Sequence, residues 1–493
     1  MGEGKRRLLI VLTIAMFIAM VAAQSLVDPM QVAIRKGEKS VSSSDNSELM
    51  VQLPGQFVLA SAVGFKEVIA GALWVRADTF FHEGEYQAIV PIVRLVTWLD
   101  PHNIDVFTTG AWHLDYNFVD ENQLSDKRYI PASVALLKEG IANNPNIWDL
   151  YFELAWTHYN KKIGDQQQAL YWMKKACEHD GYDVNSGKKV DRPEFVDRML
   201  AHQYEKIGDF DNAVKQWYKA RKRVEHILKK NVHTSEYVDA SSLDVCDRNL
   251  ALLLLRMAWR YGDMDAYKQG IDVAMRVGKH DRGMSQWKQA TLAAKKDYEQ
   301  RLASGKPFGD VRKPIDAGFQ VSVKRLSPKV LLISGKLNLV PTSEYQNLAS
   351  ECFTNWFAEN QKADANNKVA WRDGSRVSWM LADYGYKTPD LKTFNWKLDN
   401  NSMVVWDSIY VQGGSFSSKI DLSKNPDFYP FKAKKYTLTV WVSPQQPSSP
   451  DFIQDRIGWK GEALTDKNYL DTKMLPGSRC LKWEKTITRE QLL

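Results

Sequence analysis

Histidines, cysteines and paired carboxylates are the side chains of this chain that could act as general bases, nucleophiles or metal ligands. The nine histidines all lie between His82 and His280, so the C-terminal third can build no His-based catalytic triad and no His-ligated metal site. No His-Glu-x-x-His, Gly-x-Ser-x-Gly or phosphate-binding glycine motif occurs. Carboxylate pairs such as Asp209/Asp211 stand where aspartate caps a helix. The sequence therefore predicts a protein that is not an enzyme and that holds no metal and no cofactor.

The four cysteines are widely spaced, and they form neither a Cys-x-x-Cys pair nor a zinc-binding pattern. Cys352 and Cys480 fall in the same C-terminal stretch, where an oxidising compartment would allow a disulfide between them. Their positions do not decide between that bridge and two free thiols.

The N-terminus has the order of a secretory signal, with a basic cluster before an apolar segment and small residues. Lys5-Arg6-Arg7 precedes the apolar run 8–23, which begins with Leu8 and ends with Ala23. A cleaved signal peptide and an uncleaved anchor are both compatible with this run. We expect an anchor in residues 1–34 and a polar linker in residues 35–54, which predicts a single-pass inner (cytoplasmic) membrane protein. Its body would be extracytoplasmic, in the periplasm or at the cell surface, and the run 8–23 would contact the lipid bilayer.

Small and bulky residues recur at a regular spacing between residues 55 and 303. The alanines Ala77, Ala111, Ala155 and Ala201 are 34, 44 and 46 residues apart, and each precedes a glycine or polar turn and a second amphipathic segment. Paired antiparallel helices need a small residue where they cross and a turn that glycine permits. The clearest unit contains Leu200, Ala201, Tyr204, Gly208-Asp209-Phe210, Ala213, Trp217 and Ala220.

This pattern resembles the tetratricopeptide repeat family, whose period is about 34 residues. The resemblance covers about half of the chain and implies an α-helical solenoid over residues 55–303. It also implies a concave surface that holds peptide segments of partner proteins. The ligand-facing positions of the family correspond here to Trp112, His113, His158, His202 and Gln203.

Residues 304–318 read as a linker, after which alternation with a period of two replaces the helical pattern. Residues 319–493 resemble an immunoglobulin-like or jelly-roll β-sandwich, with a helical or irregular insertion at 345–368. The candidate strands are 320–324, 330–339, 377–381, 394–398, 403–411, 416–420, 436–442, 457–462 and 480–487. The predicted fold class is therefore a multidomain α + β chain: a membrane-anchor helix, a tetratricopeptide-like solenoid and a C-terminal antiparallel sandwich.

The net charge of +7 arises entirely within residues 306–493, which contain 27 basic and 20 acidic residues. This excess is too small and too diluted to predict binding to nucleic acid. We therefore predict a non-catalytic, membrane-anchored extracytoplasmic scaffold that binds partner proteins, as an accessory subunit of a multi-subunit envelope complex. The alternative is a cell-wall or carbohydrate-binding module, in which tryptophans of the sandwich stack on polysaccharide.

Overall fold

The computed structural model describes residues 65–117, 129–182, 188–232, 234, 238–277, 285–305, 314–339, 372–387, 403–424, 429–445, 454, 457–475 and 477–493. They form two compact units: residues up to 114 together with 132–145, and residues 115–131 together with 146–493. The helices are α1 Lys66–Glu83, α2 Tyr86–Leu99, α3 Ile104–Trp112, α4 Ile130–Asn143, α5 Trp148–Phe152, α6 Gln166–Ala176, α7 Phe195–Lys206, α8 Phe210–Lys230, α9 Ser241–Tyr261, α10 Met264–Ala274, α11 Ser285–Ser304 and α12 Arg489–Leu492.

Two α-helices continue as π-helices: π1, His113–Asn117, follows α3, and π2, Glu153–Ile163, follows α5. The strands comprise a short hairpin and the strands of one large sheet. They are β1 Gly181–Tyr182, β2 Lys189–Val190, β3 Gln320–Ser327, β4 Val330–Lys336, β5 Arg372–Asp383, β6 Val404–Gln412, β7 Ser415–Asp421, β8 Lys435–Val442, β9 Leu470–Asp471 and β10 Cys480–Thr488.

Small residues allow the helices of the first unit to approach closely. A methyl group added at Gly110 in α3 would lie 2.9 Å from a side-chain carbon of Val93, and one at Gly140 in α4 would lie 2.8 Å from the ring of Phe107. The four alanines that recur in the repeats are buried: the exposed fraction is 3% at Ala77 and 0% at Ala111, Ala155 and Ala201. The helical content is thus compatible with tetratricopeptide-like repeats.

A repeated turn joins the two helices of four of the pairs. Each first helix is followed by a glycine with φ between 68° and 82°, a left-handed conformation that glycine adopts without steric cost. The residue after this glycine is acidic and precedes the second helix. The four turns are Gly84-Glu85, Gly164-Asp165, Gly208-Asp209 and Gly262-Asp263.

The aspartate of this turn caps the helix that follows it. Asp263 accepts a hydrogen bond of 2.9 Å from the backbone N–H of Ala266 in α10. Asp263→Ala should therefore lower the free energy of unfolding by about 1 kcal/mol, because the Ala266 N–H loses its partner. Asp265→Ala is the matched control, since Asp265 is exposed in the first turn and its loss removes no cap. Urea titration of both variants checks the difference; equal effects would contradict the capping role.

The C-terminal sheet is a single antiparallel sheet of eight strands in the order β3-β4-β7-β6-β5-β8-β10-β9. It curves into a half-barrel around one apolar core that includes Leu331, Trp379 and Val440. The predicted two-sheet sandwich is therefore wrong. Alternation shows which face of each strand is buried, but that pattern is the same for two stacked sheets and for one curved sheet.

Residues 457–462 form a tight turn instead of a strand: Gly458 has φ +87°, Gly461 has φ +68°, and the Gly461 N–H donates to the Gly458 carbonyl at 3.0 Å. The candidate strand 394–398 and the insertion 345–368 lie outside the described residues.

The prediction of a membrane-anchor helix is contradicted by the helices that the structure describes. Within the described ranges, no helix is both long enough and apolar enough to cross a bilayer. The fold class is instead mixed α/β, with helix pairs followed by the half-barrel sheet, and the single-pass inner-membrane location is not supported. The run 8–23 and the linker 35–54 lie outside the described residues.

Candidate functional site

Trp112 and His113, two of the predicted partner-binding residues, are the last residue of α3 and the first of π1, and both belong to the first unit. Trp112 is 43% exposed. The His113 ring contacts the rings of Phe81, at 4.5 Å between centroids, and of Trp112, at 5.6 Å. Burial lowers the pKa of His113, and the Asp78 carboxylate partly offsets that shift. The first unit thus presents a partly exposed aromatic cluster at this helix end.

His158 lies in π2 of the second unit and is fully buried against an acidic partner. Its Nδ1 is 2.6 Å from Oδ2 of Asp115 in π1, and neither side chain is exposed. The geometry is that of an Nδ1–H donating to a carboxylate oxygen, as in the pairs that orient a catalytic imidazole. Both residues sit on π-helical segments, which are rare and often mark functional sites.

The surroundings of this pair are polar but enclosed. Glu153 Oε1 lies 3.9 Å from His158 Nε2, and the Tyr116 hydroxyl donates to the Thr157 carbonyl at 2.6 Å. Burial raises the pKa of Tyr116 strongly, and the Asp115 and Glu153 carboxylates add to that shift. The Tyr116 hydroxyl therefore keeps its proton, and the Asp115–His158 pair joins π1 to π2 without facing solvent.

His202 and Gln203 are neighbours in α7, but they differ in exposure. The His202 side chain is 31% exposed and lies edge-on to the Trp217 ring, at 4.8 Å between centroids. Gln203 is fully buried, and its Nε2 donates to the Oε1 of Gln166 at 2.8 Å. His202 can therefore meet a partner in this arrangement, whereas Gln203 joins α7 to α6.

The five predicted residues are thus not gathered at one place. Trp112 and His113 belong to the first unit, and of the three in the second unit only His202 keeps an exposed part. In three successive repeats, the residue that follows the buried alanine is Trp112, Trp156 and His202. Comparing the repeats with one another could therefore have identified Trp156 as a further candidate for partner binding. Trp156 and Met199 are half-buried and pack on the same apolar cluster. We call Trp156, Met199 and His202 the first-helix strip.

Helix α8 carries a basic run, Lys219, Arg221, Lys222 and Arg223, whose two arginines bind carboxylates inside the second unit. Arg221 Nε lies 2.8 Å from Oδ1 of Asp247, and Arg223 Nε lies 3.5 Å from Oδ2 of the fully buried Asp197. Arg192 adds a second cation, at 3.0 Å from Asp197. These arginines therefore neutralise buried carboxylates between helices, and they are not a surface patch for acidic ligands.

Trp459 links the sheet to the helices within the second unit, and no sequence signal pointed to it. Its side chain is 4% exposed and meets the Phe210 ring at 5.4 Å between centroids. The turn glycine Gly208 makes room for it, since a methyl group there would lie 2.7 Å from Trp459 Cγ. The Arg256 guanidinium lies 5.6 Å from the same indole. The Gly208-Asp209 turn of the clearest repeat unit therefore forms a contact with the C-terminal part of the chain.

The structure describes three of the four thiols. Cys177, Cys246 and Cys480 are free, and burial raises their pKa to about 12, 12 and 11. Cys352, the predicted partner of Cys480, lies outside the described residues. Among the residues that the structure describes, no group of three His, Cys, Asp or Glu side chains is arranged to hold a metal ion.

The carbohydrate alternative required a row of exposed indoles on the C-terminal part. In the described portion of residues 306–493 we find no such row, so stacking on polysaccharide gains no support. Trp379, Trp441 and Trp459 are buried, Trp406 and Trp483 are half-buried, and Trp356, Trp371 and Trp396 lie outside the described residues.

Comparison with known proteins adds a distant structural likeness. No protein-family model and no curated protein matches this chain. Among solved structures, the crystal structure of MamA protein aligns with 44% of this chain and 97% of its own length, at 13% sequence identity and a TM-score of 0.27. A score this low does not establish a shared fold.

Proposed function

We propose that this chain is a non-catalytic scaffold that binds partner proteins along the first helices of its repeats. The observation that carries the proposal is the first-helix strip, in which the equivalent positions Trp156 and His202 are partly exposed and Met199 packs on the same apolar cluster as Trp156. Such side chains offer large contact area, and Met adapts its shape to different partners. Tetratricopeptide-like helix pairs are the arrangement that would present them in a row.

Charge beside the strip favours a partner with acidic groups. The Lys161 ammonium lies 5.5 Å from the centre of the Trp156 ring, and its side chain is exposed. In contrast, the His–Asp pair that could activate a nucleophile is fully enclosed. The enclosed pair is therefore out of reach of a ligand bound at the strip, whose exposed surface is suited to contact with a partner.

The test is co-purification of the full chain with its partners from the cells that produce it. Trp156→Ala/His202→Ala should reduce the yield of a stoichiometric partner by at least about tenfold, because truncating central interface side chains costs roughly 2 kcal/mol or more. Tyr171→Ala is the matched control: Tyr171 is 51% exposed, in the second helix of the repeat that contains Trp156.

Thermal unfolding must show that both variants fold like the wild type. If the double variant does not, Lys161→Glu replaces it, because that side chain is exposed and its charge change leaves the core intact. Equal partner yields from the strip variant and the Tyr171 control would contradict the proposal.

A further inference from the structure

The hairpin β6–β7 opens immediately after its turn, in the middle of the half-barrel sheet. Gly413 and Gly414 form the turn with φ of +56° and +74°, as two-residue hairpin turns require. Within the described residues, the two strands share one register pair, Gln412–Ser415. Each strand nevertheless pairs along its other side: β7 forms an uninterrupted ladder with β4, and β6 forms a ladder with β5 that has one register shift. The two strands thus diverge and leave a groove between them.

The hydrogen-bond pattern shows which backbone groups of β7 face this groove. The Leu337 N–H donates to the Gly414 carbonyl, and the Leu422 N–H donates to the Lys329 carbonyl. In an antiparallel ladder, hydrogen-bonded positions alternate, so the even-numbered residues of β7 bond to β4. The odd-numbered residues, Ser417 among them, direct their N–H and C=O groups towards the groove.

On the opposite side of the groove, one backbone N–H of β6 already has a hydrogen-bond partner. The Asp383 N–H donates to the Met403 carbonyl in β5–β6 pairing, which places the backbone groups of even-numbered β6 residues on the groove side. One of them, the Ser408 N–H, donates to the Oδ1 of its neighbour Asp407 at 2.7 Å. The edge of β7 is therefore the more available of the two.

The side chains that line the groove are mostly small and carry hydroxyl groups, and one of them, Lys336, is basic. The groove has a volume of about 970 Å³ and is lined by Ser322, Ser334, Ser408, Ser415, Ser417 and Ser418, together with Tyr410 and Lys336. Tyr410 is 52% exposed, and the Arg376 guanidinium lies 4.3 Å from the centre of its ring. Small serines let another backbone approach a strand edge closely.

The charges at the groove favour an acidic occupant. Lys336 and Lys419 are exposed on β4 and β7. The carboxylates of Asp407 and Asp421 are not among the residues that line the groove. Lys336 is the one charged residue in the described lining, so a ligand would meet a positive field there.

We propose that this groove receives an extended acidic segment of a partner protein, which adds as a strand to the edge of β7. Strand addition gives partners to the β7 backbone groups that face the groove, and Lys336 favours an acidic segment. This inference rests on the proposed function only in that the ligand is a protein chain; it concerns a surface separate from the first-helix strip.

The first test is hydrogen–deuterium exchange of the full chain without ligand, at single-amide resolution. The amides of Ser417 and Lys419 should exchange at least about tenfold faster than those of Ser418 and Ile420, which bond to β4. If all four amides are equally protected, a segment of this chain or a second copy already occupies the groove, and the proposal is overturned.

The second test measures binding of fluorescein-labelled peptides of about ten residues, in which glutamate alternates with valine or threonine, by fluorescence anisotropy. Ser417→Pro should weaken binding at least about tenfold, or roughly 1.4 kcal/mol, because proline removes the N–H that faces the groove. Ser417→Ala keeps that N–H and should bind like the wild type. If Ser417→Pro fails to fold, a backbone N-methylated probe replaces it on the peptide side.

Lysine-for-glutamate peptides are the charge control and should bind more weakly than the acidic set. Equal binding of acidic and basic probes, or no binding of the acidic set, would overturn the proposal. The first-helix variant Trp156→Ala/His202→Ala should leave peptide binding unchanged, so failure of this inference and failure of the proposed function give different results.

Discussion

Replacing Trp459 by alanine is expected to lower the free energy of unfolding by about 3–5 kcal/mol, the range found for deletion of a large buried aromatic side chain. The indole is 4% exposed and fills the space beside Gly208, against the Phe210 ring. Its removal leaves a cavity where the sheet meets the helices of the second unit. Urea titration followed by far-UV circular dichroism measures the change.

Tyr384→Ala is the matched control for this prediction, since Tyr384 lies just after β5 and is 65% exposed. Surface truncations of that kind usually change stability by less than about 0.5 kcal/mol. A loss of less than about 1 kcal/mol for Trp459→Ala would show that the indole does not hold the two parts together.

Removing one member of the Asp115–His158 pair should be about as damaging. Asp115→Leu is expected to lower the free energy of unfolding by about 3–5 kcal/mol, because it leaves a fully buried imidazole without the carboxylate at 2.6 Å. The same titration measures the effect.

The double variant Asp115→Leu/His158→Leu is the informative comparison. An apolar pair of similar volume needs no hydrogen bond, so the double variant should be more stable than the sum of the two single losses predicts, with a coupling of at least about 1 kcal/mol. Strictly additive losses would mean that the two side chains contribute independently and that π1 and π2 are joined by other contacts.

The helix pairs could be predicted from the sequence because their determinants are local. A glycine followed by an acid, as at Gly208-Asp209, marks both the end of one helix and the cap of the next. The buried alanine of each first helix follows from the need for close approach. Neither π-helix could be predicted from local sequence. The two are joined by the contact between Asp115 and His158, which are 43 residues apart in the chain.

The sheet was predictable strand by strand but not as a whole. Alternation placed most strands within a few residues, for example 436–442 against Lys435–Val442. Which strands pair depends on contacts between distant segments, such as β5 with β8, and no local pattern encodes them. The segment 457–462 looked like a strand because Ile457 and Trp459 alternate with small or polar residues, although both are buried in a glycine turn.

The predicted partner-binding residues show the same limit. Position in the repeat identified His202 and Trp112, which keep exposed surface. It could not show that Gln203 bonds to Gln166, because that depends on the register between two helices. The prediction that these positions bind a partner remains a prediction.

The measurement that tests the scaffold proposal most directly is site-specific photo-crosslinking in the cells that produce the protein. Benzoylphenylalanine replaces His202 in the first-helix strip and, separately, Tyr171 in the second helix of the preceding repeat. The proposal predicts a discrete adduct with a partner protein from position 202 and none from position 171. The same adducts from both positions, or a co-purifying partner that never crosslinks through position 202, would contradict it.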